Sequence, residues 1–491
     1  MRTTKLRVAG KRFSLGSWSV PFARSASPAG LERRYSAAAA AAPQPISTIA
    51  AQDAKPPTSQ LIELARTITR ETEKLDKYLK QNDSPQPSFD VDGPANFPKL
   101  SEEMKKAREE VMRATKELGD LVTGPTEGLR WMAWDHNNSL SLHAIYHHKI
   151  AQSFPINETA TFTQIAERVG LDEINVRRFL RHAMTNRIFK EVEPGVVAHT
   201  AASRVLAEDQ MITDWIGFCV EDIWPAASRV VDAINLNPSA SEPTQAGFCL
   251  SNNTLDVEPM FVTFGKSPKR AKRMGGAMTS LTGGEGYEVS YLLNNYDWSR
   301  IDASSGTVVD LGGSHGFVCI DLAQKYKNMK FVVQDLPKTV QSAPKLEGDL
   351  GERVKFQIHD FHTQQVVKGA DVYLYRWILH NQSDRYAVNM LRQLIPALKK
   401  GARVLINDHC LPEPNTESLW DEKIIRSMDL VMLTLLNARE RSEGEFAELF
   451  REAGEGFRFL GARRPEGCRM SIIEAVWEGG DFGGAEAEAE K

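Results

Sequence analysis

Three glycines and a set of strand-ending ionisable side chains carry the chemistry of this 491-residue chain. In TVVDLGGSHG, the apolar run from Val308 to Leu311 leads into Gly312, Gly313 and Gly316, which let a backbone turn sharply and approach a ligand. Asp335 follows 23 positions after Gly312, where an acid closing the next strand can grip ribose hydroxyls. The segment reads as a nucleotide-binding βαβ unit. The Gly-x-Gly-x-x-Gly spacing of dinucleotide sites is absent, which counts against a nicotinamide cofactor. Further along, Asp360, Arg376, His380 and Asp408 also fall at strand ends. Singly, each has an ordinary reading: a helix cap, a carbonyl partner, a strand end at solvent. Together with Asp335 they put five polar groups on one rim, which a plain core would not do.

The elements that must position these groups alternate. Strands are expected over Val354 to His359, Asp371 to Leu379 and Ala402 to Asn407, with a helix from Asp384 to Leu398. Such alternation implies a parallel sheet covered by helices on both faces, with ligands at the carboxyl ends of its strands. Phe457 to Ala462 and Met470 to Trp477 read as a terminal antiparallel hairpin, making seven strands. Upstream, helices are expected over Leu61 to Leu79 and Ser101 to Leu121, on either side of a Pro-rich break. From Thr161 to Leu206 the order is helix, turn at Gly170, helix and a short β excursion, which is that of a winged helix. Arg177, Arg178 and Arg181 invite a DNA-binding reading, but residues 151 to 210 hold seven basic and eight acidic side chains. A DNA-binding module has a strongly basic footprint, so packing or dimerisation is favoured.

The composition, 42% hydrophobic and 25% charged, is that of a globular protein. A net charge of −4 offers nucleic acid or an anionic membrane no bulk attraction, and small molecules become the default partners. The five scattered cysteines lack a C-x-x-C pair, so neither a disulfide framework nor a thiolate zinc site is indicated. His143 and His147 stand at i, i+4 with His148 beside them, but the pattern lacks the glutamate of H-E-x-x-H and no third ligand lies nearby. No metal is assigned, and a surface or interface role is preferred. No run approaches the roughly 18 apolar residues of a membrane span. The first 45 residues carry eight Arg or Lys and one acid, Glu32, with an alanine run from Ala37 to Ala42. They read as a disordered extension or a mitochondrial presequence, so the expected location is cytoplasmic, with mitochondrial as the alternative.

VVDLGGSHG, VVQDLP, HDF, RWILHNQSD and DLVMLTLLNARERSEGEF together resemble the class I S-adenosylmethionine-dependent O-methyltransferases, in particular the caffeic acid O-methyltransferase-like family and its fungal members acting on phenolic polyketides. The resemblance covers roughly residues 139 to 477. It implies an α/β fold, a Rossmann-like seven-stranded methyltransferase sheet preceded by an α-helical winged-helix dimerisation domain, hence a homodimer. The implied organisation is a disordered extension or transit peptide over 1–55, a helical segment over 56–125, the winged-helix domain over 126–235, a connecting helical segment over 236–297, the cofactor-binding methyltransferase domain over 298–477 and a disordered acidic tail over 478–491.

By that resemblance S-adenosyl-L-methionine is the cofactor. Gly312 and Gly313 cradle its methionine part, Asp335 holds the ribose, and Asp360 with Phe361 frames the adenine. Asp310, Leu336 and Arg376, in the same motifs, complete the implied cofactor set. The family's catalytic base matches His380, flanked by Asp408 and Glu440; Asp408 is shorter than the glutamate of plant relatives, so its contact with the imidazole is expected to differ. Ser314 and His315 depart from the family's usual Gly-Thr. Met278, Trp377, Met432 and Asn437 are the implied lining of an aromatic substrate's pocket. The chemistry needs these types: in-line methyl transfer rests on positioning, and a phenol of pKa about 10 must lose its proton to a base. Two rivals remain at this point: a methyltransferase-fold regulator or scaffold without activity, and an NAD-dependent dehydrogenase.

Overall fold

The computed structural model of the protein describes residues 59–239 and 241–480. The expected N-terminal extension and nearly all of the acidic tail lie outside the described residues. The main sheet comprises β1 (Thr307–Leu311), β2 (Lys330–Asp335), β3 (Val354–Ile358), β4 (Val372–Arg376), β5 (Arg403–Asp408), β6 (Phe457–Arg463) and β7 (Ser471–Trp477). Their spatial order is β6-β7-β5-β4-β1-β2-β3. The first five strands are mutually parallel, and β7 runs antiparallel between β5 and β6. Apolar side chains point both ways from β4: Val372 and Leu374 join one core cluster, Tyr373 and Tyr375 the other. A parallel strand covered on both faces requires that two-sided pattern.

The chain leaves β1 towards β2 and β3 on one side and reaches β4 and β5 on the other. The crevice between β1 and β4 is therefore a topological switch point, where ligands of doubly wound sheets bind. The glycine turn after β1 and the turn after β4 both open onto it.

Two expected elements end early. β4 stops at Arg376 rather than running to Leu379, because Trp377 adopts a φ of +59° and Leu379–Asn381 forms a 3-10 turn. The helix Asp384–Leu394 gives way to a 3-10 turn containing Pro396, whose ring nitrogen has no proton to continue the ladder.

In the N-terminal half, helices Gln60–Gln81 and Glu102–Thr123 pack through Leu75, Met104 and Ala107. Helix Phe162–Val169 opens with a capping box from Thr161 and Gln164 and ends at Gly170, with φ +70°. Helix Glu173–Thr185 follows, and strands Thr159–Thr161, Lys190–Glu193 and Val196–Ala198 form a small antiparallel sheet. Arg177 pairs with Glu173 and Arg181 with Glu191, so these two arginines are spent on local carboxylates. Among the described residues no helix is long and apolar enough to cross a membrane.

Candidate active site

The turn after β1 has little room for side chains. Gly312 has φ +76°, and a Cβ there would lie 2.5 Å from Ile378 Cδ1 and 3.5 Å from the Phe361 ring. A Cβ on Gly313 would meet Asp310 Oδ2 at 2.5 Å. Asp310 itself is buried, and burial pushes its carboxyl up to about 7. Asp335 ends β2 and folds back over the turn: Oδ2 accepts from the Ser314 N–H at 2.9 Å and Oδ1 from the Leu336 N–H at 2.7 Å. Asp360 is exposed, with Oδ1 accepting from the His362 N–H at 3.0 Å. The Leu336 side chain is also exposed. Bare backbone, a carboxylate and flanking apolar surface fit the amino-acid, ribose and adenine portions of S-adenosylmethionine in turn.

Opposite this turn, after β4, stands His380, which is buried. Its Nδ1 lies 2.9 Å from Glu440 Oε1. Asp408, the last residue of β5, reaches the main chain instead: its Oδ2 accepts from the His380 N–H at 3.1 Å. The two acids therefore divide the work, Glu440 holding the ring and Asp408 the backbone that carries it. His409, which the sequence reading passed over, brings its Nδ1 within 3.3 Å of the same Glu440 oxygen. Its place directly after the acid closing β5 was the available signal. Trp377 packs against both histidines, with ring centroids 5.1 Å from each.

Electrostatics couple these groups. Burial disfavours the His380 imidazolium, but the charge and hydrogen bond of Glu440, then the charge of Asp408, outweigh it and raise its pKa. Burial opposes ionisation of Glu440 too, yet the two histidines bring it down to about 2. Asp408 is raised, burial being the largest cause. Buried polar atoms without protein partners cluster here: Trp377 Nε1, Asp408 Oδ1, His409 Nε2 and Glu440 Oε2. Such atoms are costly to leave unpaired, and a polar ligand would satisfy them.

The remaining expected residues separate. Arg376 is buried, bonded to the Asn407 side chain and, at 2.7 Å, to the Tyr287 carbonyl, so it ties the incoming chain to the sheet. Met278 and Met432 lie together in an apolar cluster with Phe218, Phe248 and Phe264. Asn437, with φ +51°, donates to the Glu242 carbonyl at 2.9 Å. A cavity of about 530 Å³ opens at the opposite, amino ends of the strands, beside Asp371 before β4 and Arg403 starting β5; it has no part in this rim.

Known proteins resemble this chain in sequence and in fold. The O-methyltransferase domain family matches residues 253–458. The chlorophenol O-methyltransferase of Trichoderma longibrachiatum is 49% identical over 423 residues, covering 86% of this chain and 91% of its own. O-methyltransferase pyvH of Aspergillus violaceofuscus is 39% identical over 433 residues, covering 86% of this chain and all of its own. Of solved structures, OxaC in complex with sinefungin and meleagrin aligns with a TM-score of 0.67 at 21% identity, over 85% of this chain and all of that one. LepI in complex with SAM aligns at 0.61 and 19%, over 84% of this chain and all of that one. At such identities structural likeness speaks for the fold, a class I methyltransferase sheet with a helical N-terminal part. The sequence relatives carry the rest: the chain belongs to the S-adenosylmethionine-dependent O-methyltransferases.

Proposed function

We propose that this enzyme methylates a phenolic hydroxyl of an aromatic small molecule, with His380 as general base. The observation that carries the reading is the 2.9 Å contact between His380 Nδ1 and Glu440. With its Nδ1 proton donated to the carboxylate, the imidazole presents Nε2 as the acceptor. That nitrogen takes the phenol proton, and Glu440 stabilises the imidazolium formed. Gly312 and Gly313 would hold the methionine part of S-adenosylmethionine and Asp335 its ribose, and the bound cofactor would supply an electrophilic methyl group. Trp377 offers an indole face and N–H beside the base, suited to orienting a planar phenol. The naming of the Trichoderma relative for chlorophenol supports a small phenol as acceptor. The test is mass-spectrometric: purified enzyme, S-adenosylmethionine and a panel of simple, chlorinated and polycyclic phenols. Methylation of at least one phenol, lost in His380→Ala, is expected; no methylation of any phenol in the panel would sink the reading.

The same proposal includes a homodimer built by the N-terminal half, with residues 126–235 serving as a winged-helix dimerisation domain. Leu121, Val122, Leu129, Trp131, Met132 and Trp134 expose their side chains along helices Glu102–Thr123 and Pro125–Met132 and the turn after them. Six large exposed apolar side chains on adjoining elements favour an association surface there.

A further inference from the structure

Helix His136–His147 presents His143 and His147 on one face, with ring centroids 5.7 Å apart. The third ligand missing from the local sequence arrives from Glu221, 74 positions after His147. Its Oε1 lies 3.0 Å from His147 Nδ1 and 3.9 Å from His143 Nε2. All three donor atoms lie within 4.8 Å of one another. Donors around a tetrahedral zinc, with bonds of about 2.0–2.1 Å, stand roughly 3.3 Å apart, so small rotations bring this set into ligating geometry.

We propose that His143, His147 and Glu221 bind one divalent zinc-class ion, which clamps helix His136–His147 to the turn Cys219–Ile223. Two imidazoles and one carboxylate suit zinc and not calcium or magnesium, which take oxygen ligands. The carboxylate is set by its surroundings: its other oxygen, Oε2, pairs with Arg273, and that buried arginine also bonds Asp222 at 2.6 Å. Outer partners of this kind fix the orientation of metal-ligating carboxylates. The turn itself is a π turn, a widened form frequent at functional sites; both of its acids reach Arg273, while Glu221 alone extends to the histidines and Asp222 alone to Arg270. An ion pair alone would need one histidine; the second, facing the same oxygen, goes unused in that reading. His147 and Glu221 also line a cavity of about 510 Å³ with Tyr146 and Gln152, giving an ion entry and water room as fourth ligand.

The experiment strips the full-length protein with chelator and titrates it with zinc sulfate by calorimetry. One equivalent per chain is expected, with a higher Tm than the stripped protein. His143→Gln and Glu221→Gln should each weaken binding more than 100-fold while methyl transfer stays at the parent level, since neither residue is part of that machinery. Cobalt substitution of the unmutated protein checks the donor set without any variant: visible bands of four- or five-coordinate cobalt are expected, without a thiolate charge-transfer band. Absence of saturable binding, stoichiometric binding that persists in the His143→Gln, His147→Gln double variant, or a thiolate band would each overturn the proposal.

Discussion

His380 must be neutral to accept a proton, so its electrostatic surroundings set the working pH. Because Glu440 and Asp408 raise its pKa against the effect of burial, the acid limb of the kcat/KM profile should lie above the ordinary histidine value of about 6.5. Glu440→Gln removes the charge that favours the imidazolium. Its acid limb should therefore move to lower pH, while kcat falls because the developing imidazolium loses its counter-ion; a limb that stays put would mean that another group governs the profile. His380→Ala, assayed at saturating cofactor, should lose about 10²- to 10⁴-fold in kcat with cofactor affinity nearly unchanged. Retention of full turnover would remove His380 as base.

The glycine turn and the β4 turn act as a facing pair of elements. Gly312 meets two demands at once, a left-handed φ of +76° and an approach to Ile378 that a Cβ would block at 2.5 Å. Gly312→Ala should cost about 1–2 kcal/mol from backbone strain alone, read as a lower denaturant midpoint. By pushing Ile378 and Phe361 aside it should also weaken S-adenosylmethionine binding in a calorimetric titration. Unchanged affinity would place the cofactor elsewhere. On the opposite side, Trp377 pays for a non-glycine φ of +59° by turning the chain off β4 so that His380 enters the crevice.

For the molecule as a whole, the exposed run containing Trp131 and Trp134 predicts an assembly. Trp131→Glu with Trp134→Glu places charge in a surface that association would bury, and the double variant should sediment as a monomer where the parent is a dimer. A parent that is monomeric at micromolar concentration would contradict the dimer. Within one chain, the parallel half of the sheet carries the glycine turn, while β7, antiparallel beside β5, closes the core behind the rim that carries Asp408.

The five parallel strands, the terminal hairpin, the glycine turn and the identities of His380 and Glu440 could be read from sequence, because each is written in a short contiguous pattern of apolar residues or motif letters. Element ends were less legible where one residue overrode the pattern: Trp377, whose positive φ no apolar run announces, and Pro396, inside an otherwise helical stretch. What the tertiary structure alone decided are pairings between distant side chains. The family resemblance already implies the Glu440–His380 pairing across 60 positions; the fold alone brings His409 to the same carboxylate across 31 and Glu221 to His147 across 74. Asp408, one methylene shorter than glutamate, ends on the main chain and not on the ring. Residue types and local spacing encode which elements form; which carboxylate reaches which imidazole depends on turn geometry and side-chain length after packing, and those exist only in the folded chain.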